Sequence, residues 1–224
     1  MNKKFEFTGE VKVFFGRTLH QIRAKIAFGD VEAGDIGGWI EKEENLSESG
    51  NAWVYGDAWV YGNARVYGNA RVYGNARVCG NARVYGDAWV YGDAWVYGNA
   101  CVSGDARVYG DAWVYGNAWV YGNACVSGDA WVYGNARVCI QSHWLCIGPI
   151  GSRDDFTTFF RTKSLEIYVK CGCFRGSIQT FAEKVSETHG DNKYANQYMA
   201  AIEVAKACID LTPGKTESEE TENE

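Results

Sequence analysis

The sequence predicts a mainly β protein: a single-stranded parallel β-helix of triangular section, followed by a small α+β module in ββαα order. Three observations predict it. From Gly50 to Cys139 the chain repeats G-[N/D]-A-x-V-x every six residues without a slip. Within each unit A-x-V alternates, so Ala and Val point to one side and the residue between them to the other. After Cys139 the repeat stops and the composition changes with it.

Each segment has its own reason. Residues 1–49 read as an N-terminal cap merging into irregular first coils, because solenoid ends expose unpaired edges that need cover. Within the cap, Phe5–Phe15 and His20–Ile26 alternate as strands, and the six-residue phase extends backwards to place Leu46 and Ile40 in the Ala position. Residues 50–140 form the array. A strand of three residues buries nothing alone, but coils stacked at ~4.8 Å bury Ala and Val in a narrow core, with Gly-Asn or Gly-Asp at the corners. With three units per coil, Trp53, Arg71, Trp89 and Arg107 line up on one outer face. The Trp and Tyr of the array are therefore expected in outer ladders rather than in the core.

Residues 141–211 form the α+β module. Residues 155–171 read as a β-hairpin. Ser177 caps a helix bearing Ile178, Phe181, Ala182 and Val185, which stops at Gly190. Asp191 is expected to cap a second helix bearing Tyr194, Tyr198, Ala201, Ile202, Ala205 and Ile209. Residues 212–224 are acidic and read as a disordered tail.

Small-x-aliphatic followed by a polar corner resembles the left-handed hexapeptide β-helix of bacterial acyltransferases, which implies the triangular left-handed form. Residues 18–139, and GGWI through GNAWV in particular, resemble a bacterial and phage group of hexapeptide-repeat proteins. The stretches GPIGSRDDFTTFFR, CGCFRG and ETHGDNKYANQY resemble a C-terminal module of phage and prophage repeat proteins. That likeness implies a transferable unit with a counter-defence role, sequestering a host protein or nucleotide. Hexapeptide prisms of this kind assemble side by side, so a homo-oligomer, with a trimer preferred, is implied.

Composition narrows the function. No apolar run approaches the ~20 residues that span a bilayer, and MNKKFEF lacks a signal-peptide core, so a soluble, cytoplasmic protein is expected (host cytoplasm, if phage-encoded). A formal charge of −6 gives no general attraction to nucleic acid or membrane. Eight Cys without a C-x-x-C pair argue against a zinc site, and no metal or cofactor is expected. Cys171 and Cys173 read as two thiols at a strand end rather than as metal ligands or as partners of Cys146.

The acyltransferase reading needs a His base beside the coils, yet His20, His143 and His189 all lie outside the array, and no unit carries an inserted loop. The zinc carbonic anhydrase of the same fold fails likewise, since its three His must meet. Arg65, Arg71, Arg77 and Arg83 suggest a basic belt, but three units per coil spread them over three faces and leave only Arg65 and Arg83 as neighbours.

Unique chemistry needs unique positions. Gly151, Ser152 and Arg153, following Gly148, suggest a turn whose free N–H groups cradle an anion, with Arg161, Arg175 and His189 as further donors. The reading is a non-enzymatic binding protein whose C-terminal module recognises a host protein or anionic small ligand. The alternative is an enzyme or nucleotide site in that module, completed by oligomerisation.

Overall fold

A computed structural model describes residues 2–213. The chain divides into two compact units, Met1–Gln141 and a second that begins at Ser142.

The first unit opens with a hairpin of β1 (Phe5–Phe14) and β2 (Arg17–Ala24). Phe15 and Gly16 between them both have positive φ, 46° and 75°, the two-residue turn whose twist suits paired strands. Next, β3 (Ile36–Ile40) pairs antiparallel with β2 and then parallel with an array strand, Trp39 opposite Trp59. The hairpin thus continues one face of the solenoid as sheet.

The array supplies fifteen two-residue strands, β4–β18, one x-Val dipeptide every six residues from Trp53–Val54 to Arg137–Val138. Each stacks in parallel on the dipeptide eighteen residues later: Trp53 on Arg71, Val90 on Val108, Trp119 on Arg137. Three units therefore make a coil, and the array forms three parallel sheets. Backbone amides bond from coil to coil, as Trp89 N–H does to Ala106 O at 2.9 Å and Tyr91 N–H to Val108 O at 2.9 Å. Every Ala and Val of A-x-V is 0% exposed, so the core consists of the two smallest residues that still fill it.

Two expectations for the array need correction. Ile40 pairs with Val60 and Leu46 bridges to Val66, each twenty residues on rather than eighteen. They occupy the Val position, not the Ala position. The small position falls to Gly38, where a Cβ would lie 2.7 Å from Ala58 O. Both inward positions of A-x-V are apolar, so a lone aliphatic every six residues does not say which one it fills. Trp53 is the second correction. It is 1% exposed, covered edge-on by Phe5 at 6.3 Å and Phe28 at 5.4 Å, so the cap converts this outward ring into core.

The second unit is an antiparallel sheet with two helices. The strands are β19 (Trp144–Ile150), β20 (Asp155–Arg161), β21 (Ile167–Cys171) and β22 (Phe174–Ser177), ordered as in sequence. The expected hairpin is β20–β21; the outer strands on either side make the order ββββαα rather than ββαα. Pro149 and the short Phe174–Ser177 run hid them from an alternation count.

Helix α1 (Ile178–His189) is capped by Ser177, whose hydroxyl accepts from Thr180 N–H at 3.2 Å, and it stops at Gly190 with φ 55°. Helix α2 (Lys193–Cys208) is capped by Asn192, not Asp191: its side chain accepts from Tyr194 N–H at 2.8 Å and Ala195 N–H at 3.1 Å. The sheet contributes Phe159, Ile167 and Val169 to a core completed by Phe181, Val185, Tyr198 and Ile202 from the helices. The expected acidic tail lies, from residue 214 onward, outside the described residues.

Candidate ligand pocket in the C-terminal unit

The turn before β20 meets α2 closely. Gly151 has φ +77°, and a Cβ there would fall 1.8 Å from Tyr198 Oη, so only glycine fits under that ring. Gly151 N–H donates to Gln197 Oε1 at 2.9 Å. That amide is therefore occupied by the protein's own side chain, and the expected cradle of free N–H groups loses this donor. The clamp has another result: it sets Ser152 and Arg153 beside the end of α1.

A pocket of about 310 Å³ results, lined by Ser152, Arg153, Cys171, Gly172, Cys173, Phe174, Phe181, Lys184, Val185, Thr188, His189 and Tyr198. Phe174, Phe181 and Val185 provide an apolar floor. Arg153 and Lys184 are exposed, and His189 is half-buried. Lys184 holds Glu187 at 3.0 Å, but no carboxylate lines the pocket itself. Burial, joined by the field of the nearby Cys171 sulfur, raises the Tyr198 hydroxyl to about 12, so it remains a neutral donor. His189 sits in the last turn of α1, with the Tyr198 ring 5.7 Å away.

Of the six residues singled out in the sequence, the fold gathers Gly151, Ser152, Arg153 and His189. It does not gather Arg161 or Arg175. Arg153 precedes β20 and Arg161 ends it, and seven extended residues hold them ~20 Å apart. Arg161 is 0% exposed; its guanidinium donates to His143 Nδ1 at 3.1 Å and to Thr212 O at 3.2 Å, tying the ends of the unit together. Arg175 follows Phe174, which faces the pocket, so alternation turns Arg175 to the opposite face, opposite Lys170. Lys184 was missed because it lies on the polar side of an amphipathic helix, where a lysine is commonplace.

The solenoid unit offers other surfaces. One cleft of about 550 Å³ is lined by Arg65 and Arg83 but also by Glu43, Glu44 and Glu48, and this mixture does not select an anion. Arg65 and Arg83 are stacked neighbours, while Arg71 and Arg77 lie on the other two sheets. The aromatic ladders are self-satisfied. Trp95, Trp113 and Trp131 stack at 5.0 and 4.6 Å with planes within 3°. Tyr73, Tyr91 and Tyr109 stack at 4.8 and 4.7 Å. Arg71 and Arg107 sit 5.4 and 5.1 Å from the Trp89 ring. Interior rings spend both faces on their neighbours and present only edges, which suits ladder cohesion rather than sugar stacking. Neither a metal-binding cluster of His, Cys, Asp and Glu nor a helix long and apolar enough to cross a membrane occurs among the described residues.

Comparison with a known repeat family bears on the solenoid. A repeat family described as YdcK beta solenoid repeat matches residues 60–74, 64–79, 76–92, 100–116, 106–122 and 118–134. A protein of Escherichia coli (strain K12) named "Uncharacterized acetyltransferase YdcK" is 51% identical over 37 residues, which is 16% of this chain and 11% of that protein. The segments that the family matches lie within the array of stacked units described above. The chain is thus a β-solenoid repeat protein with repeats similar to those of a bacterial protein, joined to a separate sheet-and-helix unit.

Proposed function

We propose that the protein acts by binding, and that its C-terminal unit holds an anionic group in the pocket between Arg153 and Lys184. One observation carries the reading: two cationic side chains and His189 surround a pocket with no carboxylate in its lining and an aromatic floor. Arg153 supplies planar paired donors, Lys184 a mobile charge, and Ser152, Thr188 and Tyr198 neutral hydroxyls. The floor suits a ring or short apolar group attached to the anion. In its fullest form, resting on the likeness to phage modules, this is a phage-encoded protein that sequesters a host protein or ligand.

The test is calorimetry on the full chain with inorganic phosphate, pyrophosphate and a nucleoside monophosphate. Binding that the double variant Arg153→Ala/Lys184→Ala weakens by about 10- to 100-fold is expected, as for the loss of charge-assisted hydrogen bonds. Both residues are exposed, so the melting temperature should hold. Absence of binding to all three probes, or equal binding by the variant, overturns the reading.

A second reading, acetyl transfer, is supported by the name given to the Escherichia coli protein. Against it stand the positions of the histidines: His20 is stacked on Phe7 at 4.6 Å in the first hairpin, and His143 accepts from buried Arg161. Transfer of a labelled acetyl group from acetyl-coenzyme A to an amine, unaffected by the pocket variant, would favour this second reading.

A further inference from the structure

Six arginines take the outward position of the array, and the fold holds four of them. Arg71 pairs with Asp30 at 2.8 Å and lies 5.4 Å from the Trp89 ring; Arg107 lies 5.1 Å from the same ring. Arg77 sits between Trp59 and Trp95 at 4.6 and 4.8 Å, and Arg137 lies 4.5 Å from Trp119. Arg65 and Arg83 are left over. Among the described residues neither makes an ion pair or a ring contact. The stacking order is the cause: Arg65, Arg83 and Cys101 follow one another on their sheet, so no Trp stands beside either. Two like charges on adjacent strands disfavour each other, and this pair is left uncompensated.

Both line the cleft of about 550 Å³, a size typical of small-ligand sites. The cap supplies its negative side. Asn45 pins the helical turn Glu43–Asn45 to the first coil, its amide donating to Gly62 O at 3.1 Å and Ala64 O at 2.8 Å. Glu43 and Glu44 are thereby set at the cleft, both exposed, and among the described residues their carboxylates have no hydrogen bond or ion pair. Glu48 is engaged, since it accepts from the Lys3 amide. Buried Leu46 and Val66, bridged to each other, add an apolar lining. Two cations and two anions thus share one cleft without closing on each other.

We propose that this cleft binds a short zwitterion with its charges at opposite ends, the class to which short peptides belong. The carboxylate end lies on Arg65 and Arg83, the ammonium end on Glu43 and Glu44. A simple anion or a simple cation meets two groups of its own sign, so neither is favoured. Adjacent guanidinium groups offer planar paired donors to a carboxylate, and an ammonium has three donors for the two glutamates. The Tyr67 hydroxyl is available to the chain between the two ends, its ring stacked on Tyr85 at 4.8 Å. Unlike the ladders, the cleft does not recur with the coils: only the cap provides its acids, and only here does Arg stack on Arg.

Calorimetry on the full chain tests it with three probes: triglycine, N-acetyl-triglycine and triglycine amide. Saturable binding of triglycine is expected, weakened about tenfold or more when either end is blocked. Arg65→Ala/Arg83→Ala should bind triglycine and its amide alike, because the group that reads the carboxylate is gone. Glu43→Gln/Glu44→Gln should likewise cease to distinguish triglycine from its acetylated form. All four side chains are exposed, so the melting temperature should hold in both variants. The Arg153→Ala/Lys184→Ala variant should bind triglycine as the wild type does, which separates this site from the pocket of the second unit. No binding of triglycine at millimolar concentration overturns the proposal. So does equal binding of the blocked peptides, or unchanged discrimination in the two cleft variants.

Discussion

Lys4 is where the first unit concentrates its electrostatic cost. The side chain is 1% exposed, and its ammonium donates to Ala52 O at 2.6 Å and Ser47 O at 3.3 Å, with the Phe28 ring 4.4 Å away. Carbonyls and a ring face attract the cation, yet loss of water dominates and lowers its pKa from 10.5 to about 8. The sign follows. Between pH 8 and 10.5 the unfolded chain holds a proton that the folded chain has released, so stability rises with pH across that window. Below pH 8 both states are protonated and the full burial cost remains. Denaturant titrations at pH 7 and pH 10 should show the wild type gaining on Lys4→Met as pH rises. A gain in the opposite direction would mean that the carbonyls outweigh desolvation. Nothing in MNKKFEF marks Lys4 apart from Lys3; only the folded cap sets one against Ala52 and leaves the other exposed.

At the scale of the element, the array is a set of ladders, each position of the repeat stacking on the same position eighteen residues away. Corner asparagines do so by hydrogen bonds: Asn81 to Asn99 at 3.0 Å and Asn99 to Asn117 at 3.0 Å. Corner glycines do so by closeness. Gly86 has φ +70°, and a Cβ there would fall 2.9 Å from Gly104 N, whereas Gly56 has φ +57° and nothing within 4 Å. Gly56→Ala should therefore cost about 1 kcal/mol, for the left-handed backbone alone. Gly86→Ala should cost about 2–4 kcal/mol, because it also wedges apart two coils. Denaturation midpoints of the two variants check this, and equal shifts would refute the steric part. The corner chemistry was legible in G-[N/D]. The stacking contacts were not, because a repeat shows that neighbours are alike without showing how near they come.

At the scale of the molecule, the two units divide the secondary structure between them. All regular α-helix among the described residues lies in Ile178–His189 and Lys193–Cys208, in the second unit. Far-UV circular dichroism of residues 1–141 should show β structure with no helical minimum at 222 nm, and residues 142–224 should carry the helical signal. Helical signal from the first fragment would contradict the division. Repetition also separates the roles: a solenoid surface recurs with every coil, while the pocket of the second unit is assembled from positions that occur once.

From the sequence come the coiling and its inward face, because side-chain alternation and glycine's positive φ are local properties that each six-residue unit carries complete. Two or three units per coil both fit that period, and the fold decided for three. The sequence also determined the hairpin of residues 155–171 and both helices, through alternation, Ser177 and Gly190. Tertiary structure decided the rest, wherever two segments compete for the same space. It put Ile40 and Leu46 two residues out of phase, since either inward position accepts an aliphatic side chain. It buried Trp53 beneath Phe5 and Phe28. It drew Ser152, Arg153, Lys184 and His189 around one pocket while placing Arg161 at the far end of β20. Sequence proximity does not encode these distances: a strand of seven residues separates its ends by ~20 Å, while a helix packed across the sheet brings residues thirty positions apart to the same rim.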